Sequence, residues 1–144
     1  MSHGPVDRLV LLVGSNPLPN YLAAQMLQPK QVVLVYSAET ELVMRALGKA
    51  FDGSLPALGA EGAVTERSVR RTTVTADVRE ACADVFPGAH LHCTGGTKIM
   101  AAHARMAFRD QGGMDDSASY LDEQGRALRY DDGFVRELTA TVPL

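Results

Sequence analysis

Tryptophan is absent from this sequence of 144 residues, and aromatic side chains make up only 6% of it. The core must therefore be built from leucine, valine, alanine and methionine, which suits close packing of helices on a parallel sheet. The two cysteines are too few for a disulfide scaffold. We expect Cys82 and Cys93 to be buried free thiols in a reducing cytoplasm.

The sequence also lacks a long apolar segment and an excess of positive charge. Its longest apolar runs, Leu9–Val13 and Val32–Val35, are strand-sized and far shorter than the roughly 18 residues of a membrane-spanning helix. No apolar segment follows a basic start, as it would in a signal peptide. The formal net charge of −3 argues against binding duplex nucleic acid, but not against a small anion held locally. We expect a cytoplasmic protein, membrane-tethered only through a segment outside this chain.

Strand-like and helix-like segments alternate along the chain, which predicts one α/β domain. We expect a Rossmann-like, doubly wound and mainly parallel sheet of about five strands, with an antiparallel hairpin at its C-terminal end. The predicted strands are Arg8–Gly14, Gln31–Tyr36, Ser68–Val74 and Ala89–Cys93, followed by hairpin strands Ser117–Leu121 and Ala127–Tyr130 around a turn at Asp122–Gly125. The last fourteen residues are either an edge strand or a tail.

Four helices are predicted between these strands. The second carries two adjacent apolar rows at i+4 spacing, Leu42, Ala46, Ala50 and Val43, Leu47, Phe51. The first predicted helix is Tyr21–Leu27, with Asn20 as its N-cap. The second begins within Ser37–Glu41 and ends at Phe51. The last two are Asp77–Phe86 and Ile99–Arg109.

The segment Thr94-Gly95-Gly96-Thr97-Lys98 lies between a predicted strand and helix, where α/β proteins bind their ligands. Adjacent glycines let the backbone turn tightly and approach a ligand closely. The amides and dipole at the start of the next helix favour an anion, and Lys98 adds a positive charge. The alternative is a capped helix start with a solvated lysine. The segment fits neither the P-loop nor the dinucleotide-binding pattern.

A second loop, Gly14-Ser15-Asn16-Pro17-Leu18-Pro19-Asn20, follows the first strand and lies at the same edge of a parallel sheet. The two loops can therefore form opposite walls of one crevice. Ser15 and Asn16 can hydrogen-bond a ribose, a base edge or a phosphate, while the prolines stiffen the loop. Ser37, at the end of the second strand, can face the same crevice. The alternatives are a rigid turn and simple helix caps.

His90, His92 and Cys93 raise the question of a metal site. The two histidines share one face of a strand because they are two residues apart. No third ligand has a recognisable spacing, so we expect neither a metal nor a cofactor. No histidine or carboxylate is clearly placed in the predicted crevice, and no catalytic residue is assigned.

The three segments Val13–Asn20, Ser37–Thr40 and Thr94–Lys98 together resemble the CARF family, the CRISPR-associated Rossmann fold sensors of cyclic oligoadenylates. The likeness is greatest to CARF domains fused to restriction-type nucleases. Those domains carry a Gly-x-x-Pro-Leu-Pro-Asn-like loop, then Ser with Glu-Thr, then Thr-Gly-Gly-Thr-Lys, in this order. The resemblance covers nearly the whole chain, and we expect residues 1–144 to form a single domain of this kind.

The resemblance implies a homodimer that binds a cyclic oligoadenylate, foremost the tetra-adenylate, on its two-fold axis in type III CRISPR antiviral signalling. A symmetric ring and an isologous dimer match each other. Family members carry an effector, such as a nuclease or a membrane segment, for which this chain has no room. The implied ligand-binding residues are Gly14, Ser15, Asn16, Leu18, Pro19, Asn20, Ser37, Thr40, Thr94, Gly95, Gly96, Thr97 and Lys98.

Two other functions stay open. The first is a metal-independent ring nuclease, in which a ribose 2′-hydroxyl attacks its own phosphate and positioning does most of the catalysis. Ser15, Asn16 or Ser37 would hold the ribose, and Lys98 would stabilise the developing charge. The second is a generic nucleotide-binding Rossmann domain, which would bind no cyclic oligoadenylate.

Overall fold

The structure is a computed structural model that describes residues 3, 5–122 and 127–137. Its described part contains seven strands and four α-helices in a βα alternation up to the fifth strand. These are β1 (Arg8–Leu12), α1 (Leu18–Leu27), β2 (Gln31–Ser37), α2 (Glu41–Ser54), β3 (Val64–Val69), α3 (Thr75–Ala81), β4 (Ala89–His92), α4 (Lys98–Asp110), β5 (Ala118–Leu121), β6 (Ala127–Tyr130) and β7 (Val135–Glu137).

All seven strands form one sheet in the order β3-β2-β1-β4-β5-β6-β7. The first five are parallel, while β6 and β7 are antiparallel to their neighbours. The predicted Rossmann-like α/β class with a C-terminal antiparallel hairpin is confirmed. Within the last fourteen residues, Val135–Glu137 form an edge strand, β7. Residues 123–126 of the predicted hairpin turn and residues 138–144 lie outside the described part of the chain.

Alternate side chains of β1 enter two separate cores, which makes the sheet doubly wound. Leu9 and Leu11 pack with α1 and α2 on one face. Val10 and Leu12 pack with α3 and α4 on the other. All four side chains are fully buried, as the continuous apolar run in a central parallel strand indicates. Among the described residues, no helix is long and apolar enough to cross a membrane.

The predicted position of β3, Ser68–Val74, is wrong. The strand runs from Val64 to Val69 at the edge of the sheet, and four of its six side chains are exposed. These four are polar and do not alternate with apolar residues, so the sequence carries no strand pattern here. As a consequence, residues 70–74 form a loop at the carboxyl end of β3.

The predicted cap of α1 at Asn20 is also wrong. The helix begins at Leu18, with Pro17 in the N-cap position. The Asn16 side-chain oxygen accepts a hydrogen bond from the Leu18 N–H at 3.1 Å. Pro19 lies in the first turn, where its missing N–H costs no helical hydrogen bond. Asn20 is therefore inside the helix, where it is fully buried.

Only one of the two apolar rows on α2 is buried. Leu47 and Phe51 are at most 1% exposed, whereas Leu42 is 81% exposed. We expect Phe51→Ala to lower the free energy of unfolding by about 3–5 kcal/mol, because it leaves a cavity in a closed core. Leu42→Ala should change it by about 0.5 kcal/mol or less. Urea unfolding of both variants checks this difference, and equal losses would contradict the assignment of the buried row.

Candidate ligand-binding cleft

The carboxyl ends of β1, β2 and β4 surround a cleft of about 280 Å³. Ligands of open α/β sheets bind at this edge. The cleft brings together residues from all three predicted loops, Gly14 and Ser15, Ser37 and Thr40, Gly96 and Thr97. Its full lining is Val13, Gly14, Ser15, Ser37, Glu39, Thr40, Thr72, Gly96, Thr97 and Met100.

The first and fourth loops pack backbone against backbone. A Cβ on Gly95 would lie 1.9 Å from the carbonyl oxygen of Leu12, and one on Gly14 would lie 2.8 Å from the amide nitrogen of Gly96. Gly96 has a φ of +77°, which favours glycine in its own right. The side-chain amide of Asn20 donates to the same Leu12 oxygen at 2.9 Å. The glycines are therefore required for the two loops to meet.

Thr97 caps α4 at the floor of this junction. Its hydroxyl oxygen accepts a hydrogen bond from the Met100 N–H at 3.1 Å. The first four amides of a helix have no intrahelical acceptor, so those that Thr97 leaves are available to an anion. Lys98 is the first residue of α4, and its side chain is exposed beside them.

The turn after β2 is closed by its own hydrogen bonds and places an acidic residue at the cleft. The Ser37 N–H donates to the Thr40 hydroxyl at 3.0 Å across a 3₁₀ turn, Ala38–Thr40. Glu39 lies within that turn and lines the cleft. Its own backbone N–H and then the Ser37 hydroxyl hold the pKa of its carboxyl below the usual value. Glu39 is therefore ionised at neutral pH.

Glu39 and Thr72 are the polar lining residues that the sequence analysis missed. Glu39 lies between two predicted ligand-binding residues, Ser37 and Thr40, which was the available signal. Thr72 was hidden because β3 was placed too late in the chain. Its loop is held by a hydrogen-bonded ion pair in which Arg71 Nε donates to Asp77 Oδ2 at 2.8 Å. This bond raises the pKa of Arg71 and lowers that of Asp77.

Other predicted ligand-binding residues lie beside or behind the cleft rather than in its lining. Asn20 and Gly95 are buried behind it, where they join the two loops. Leu18 and Lys98 are exposed at the starts of α1 and α4. The remaining three are Asn16, which caps Leu18, Pro19 in the first turn of α1, and Thr94.

Thr94 is anchored by a chain of buried polar side chains. Its hydroxyl lies 2.7 Å from His92 Nε2 and accepts from the Leu121 N–H at 2.7 Å. The Ser119 hydroxyl continues the chain, 3.0 Å from His92 Nδ1 and 2.7 Å from His90 Nε2. The two histidines that raised the question of a metal thus have hydrogen-bond partners within the sheet.

The cysteines take no part in this chain. Cys93 packs against the core on the opposite face of the sheet, and both cysteines are free thiols. Cys82 is buried as expected, whereas Cys93 is only half-buried. Burial raises the pKa of both thiols to about 11, so both are protonated at neutral pH. No group of three or more metal-ligating side chains occurs among residues 3, 5–122 and 127–137.

Two larger depressions lie elsewhere on the surface. One of about 400 Å³ is lined by Asp7, Lys30 and Ala60–Ala63 at the amino ends of β1 and β2. The other, of about 510 Å³, lies beyond the end of α4, between Arg109 and Asp132. Neither is at the carboxyl edge of the parallel strands, so the smaller cleft is the better candidate for ligand binding.

The contact between the two loops yields a test with a matched control. We expect Gly95→Ala to lower the free energy of unfolding by about 1–3 kcal/mol, because the added methyl group overlaps the Leu12 carbonyl oxygen. Gly48→Ala adds a methyl group within α2 with no atom inside 4 Å, and should stabilise the protein by up to about 1 kcal/mol. Denaturant unfolding measures both, and a stabilising Gly95→Ala would refute the close contact.

The buried histidines predict a loss of stability in mild acid. Burial lowers the pKa of His90 to about 4 and that of His92 to about 3. The unfolded chain, with a histidine pKa near 6.5, therefore binds more protons than the folded one from about pH 6.5 down to these values. In this pH range the free energy of unfolding should fall as the pH falls. Each histidine should contribute up to about 1.4 kcal/mol per pH unit.

Unfolding by urea across pH 7.5 to 4.5 measures this slope. His90→Gln removes one of the two titrating groups and should flatten the dependence on pH. A variant with the wild-type slope would show that His90 does not contribute to it.

Comparison with known proteins identifies structures that share the fold. No family model matches the sequence, and no curated protein matches it. Can2 from Sulfobacillus thermosulfidooxidans, solved in complex with cyclic tetra-adenylate (cA4), has a TM-score of 0.75 at 26% identity, over 92% of this chain and 37% of that one. VC1899 from Vibrio cholerae has a TM-score of 0.72 at 7% identity, over 92% and 36%.

The present chain therefore spans little more than a third of the length of either protein. At 7% identity, the likeness to VC1899 shows the fold alone. The likeness to Can2 also includes a sequence identity of 26%. Three loop motifs in family order, a doubly wound sheet and a likeness to Can2 agree with one another. The resemblance to CARF domains drawn from the sequence is confirmed.

Proposed function

We propose that this domain is a sensor that binds a cyclic oligoadenylate, cyclic tetra-adenylate foremost, in type III CRISPR antiviral signalling. It binds the ring as a homodimer and controls an effector beyond these 144 residues. The observation that carries the proposal is the convergence of the three loop motifs on one cleft in a fold shared with the cA4 complex of Can2.

The chemistry of the cleft suits a nucleotide phosphate. Hydroxyl groups of Ser15, Ser37 and Thr97 line it, and the start of α4 adds backbone amides. Lys98 supplies a mobile positive charge at the same helix end. These groups act over short range, so the overall charge of −3 is no obstacle to binding an anion.

The exposed side of α4 supports the homodimer. Ile99 is 48% exposed and Met106 is 50% exposed, and the exposed Ala102 lies between them at helical spacing. An apolar row of this kind is suited to burial against a second copy. Dimerisation along α4 would bring two copies of Lys98 and of the cleft around one axis, matching the symmetry of a ring.

A ring nuclease is the second candidate, and Glu39 is the observation that favours it. The cleft does contain a carboxylate that the sequence analysis did not place there. A general base works best with a pKa near the working pH, however, and the pKa of Glu39 is lowered instead. Binding without cleavage is therefore the better-supported function.

Lys98→Ala tests the proposal by calorimetric titration with cyclic tetra-adenylate. The wild-type protein should bind one ring per two chains. A charge-assisted hydrogen bond to phosphate is worth about 1.5–3 kcal/mol, so the variant should bind about tenfold to a hundredfold more weakly, and more so because each ring meets two lysines. Lys49→Ala removes the same charge from the exposed surface of α2 and should bind like wild type.

The melting temperature of Lys98→Ala should equal that of the wild type, because the side chain is exposed. Unchanged affinity would mean that Lys98 is merely solvated. Wild-type protein that binds no cyclic oligoadenylate would overturn the proposal in favour of another nucleotide ligand. Chromatography of the ring after incubation without metal should recover it intact, whereas a linear product with a 2′,3′-cyclic phosphate would establish the nuclease.

A further inference from the structure

One carboxylate lies among the hydrogen-bond donors of the cleft. Glu39 lines it together with the hydroxyl groups of Ser15, Thr72 and Thr97. Hydroxyl groups can donate to a phosphate, whereas an ionised carboxylate can only accept hydrogen bonds. A cleft for phosphate alone would exclude such a group, because like charges repel. The arrangement therefore fits a ligand that presents donors as well as negative charge.

The Glu39 side chain is exposed at the cleft, and the groups that lower the pKa of its carboxyl belong to its own turn. The Ser37 N–H and the Thr40 hydroxyl close the turn at 3.0 Å, and the pKa of Glu39 is lowered by its own backbone N–H and the Ser37 hydroxyl. The ion pairs recorded among the described residues involve other carboxylates. A carboxylate has about four acceptor positions, so it retains some for a ligand.

A ring of adenylates joined through 3′ and 5′ oxygens offers two kinds of donor, the ribose 2′-hydroxyl and the 6-amino group of adenine. The place of Glu39 in the sheet favours the ribose. Glu39 lies two residues beyond the end of β2. Strand β2 pairs with β1, and the loop after β1 contains Gly14, which packs against Gly96. In dinucleotide-binding α/β folds, an acidic residue about 20 residues beyond the glycine-rich turn accepts from a ribose 2′-hydroxyl.

We propose, on the basis of the proposed function, that Glu39 accepts a hydrogen bond from a ribose 2′-hydroxyl of the bound ring. Glu39 is then a specificity residue that selects ribonucleotide over deoxyribonucleotide rings. Thr72, on a loop held by the Arg71–Asp77 pair, lines the same cleft. The loops after β2 and β3 thus add ligand recognition to the phosphate contacts of the glycine loops.

The test combines a change in the protein with a change in the ligand. Wild type, Glu39→Ala and Glu39→Gln are titrated with cyclic tetra-adenylate, with its 2′-deoxy form and with a ring of N6-methyladenylates. Wild type should bind the 2′-deoxy ring at least about tenfold more weakly than the ribo ring. Glu39→Ala should lose a similar factor on the ribo ring and no longer distinguish the two sugars, with Glu39→Gln in between.

Glu41→Gln is the matched control, because it removes a negative charge two residues away, where Glu41 pairs with Arg45 on α2. It should retain wild-type affinity and selectivity. The inference is overturned if Glu39→Ala prefers the ribo ring as strongly as wild type does. It is also overturned if this variant binds both rings more tightly than wild type does. Loss of the preference for unmethylated adenine instead would assign the carboxylate to the base. Wild type and Glu41→Gln that bind none of the rings would refute the proposed function itself.

Discussion

The carbonyl oxygen of Leu12 is the point on which the cleft depends. It ends β1, accepts the Asn20 side-chain amide at 2.9 Å, and leaves no room for a side chain on Gly95. These contacts set the distance between the loop after β1 and the loop after β4. Because Asn20 belongs to α1 and Gly95 leads into α4, they also bring the starts of both helices to one place. The hydroxyl groups of Ser15 and Thr97 lie on the two loops that this backbone contact joins.

A second constraint comes from within the sheet. The chain His90–Ser119–His92–Thr94 crosses from β4 to β5 without leaving the buried interior, and its last member begins the glycine loop. Burial keeps both imidazoles neutral, so each ring has one donor and one acceptor nitrogen. Neutral rings can hold Thr94 without placing a charge behind the cleft. Leu121 completes the arrangement by donating its N–H to the same hydroxyl group, which ties the loop to the hairpin.

The sequence was most informative where local pattern and tertiary structure agree. The apolar run of β1, the glycines after β4 and the spacing of the helices predicted the sheet and the meeting of three loops. The edge strand β3 was misplaced because its exposed polar side chains have no periodicity. That error concealed the loop of Thr72. Glu39 was overlooked for a different reason, since a sequence does not show which side of a short turn faces a cleft. The burial of only one apolar row on α2 likewise depends on where the helix lies on the sheet.

The order of the strands explains why the cleft lies where it does. From β1 the chain winds outward through β2 to β3 with α1 and α2 on one face, and then returns to β4 and β5 with α3 and α4 on the other. The loops after the adjacent strands β1 and β4 therefore lead to helices on opposite faces of the sheet, so the two chain segments diverge beyond their contact. A crevice opens between them at this reversal, in the position where open α/β sheets bind ligands. The start of α4 lies on one side of it, so an anion there interacts with the dipole of that helix. The topology, rather than the net charge, concentrates hydrogen-bond donors at this place, which is what the proposed binding of a phosphate-rich ring by an acidic chain requires.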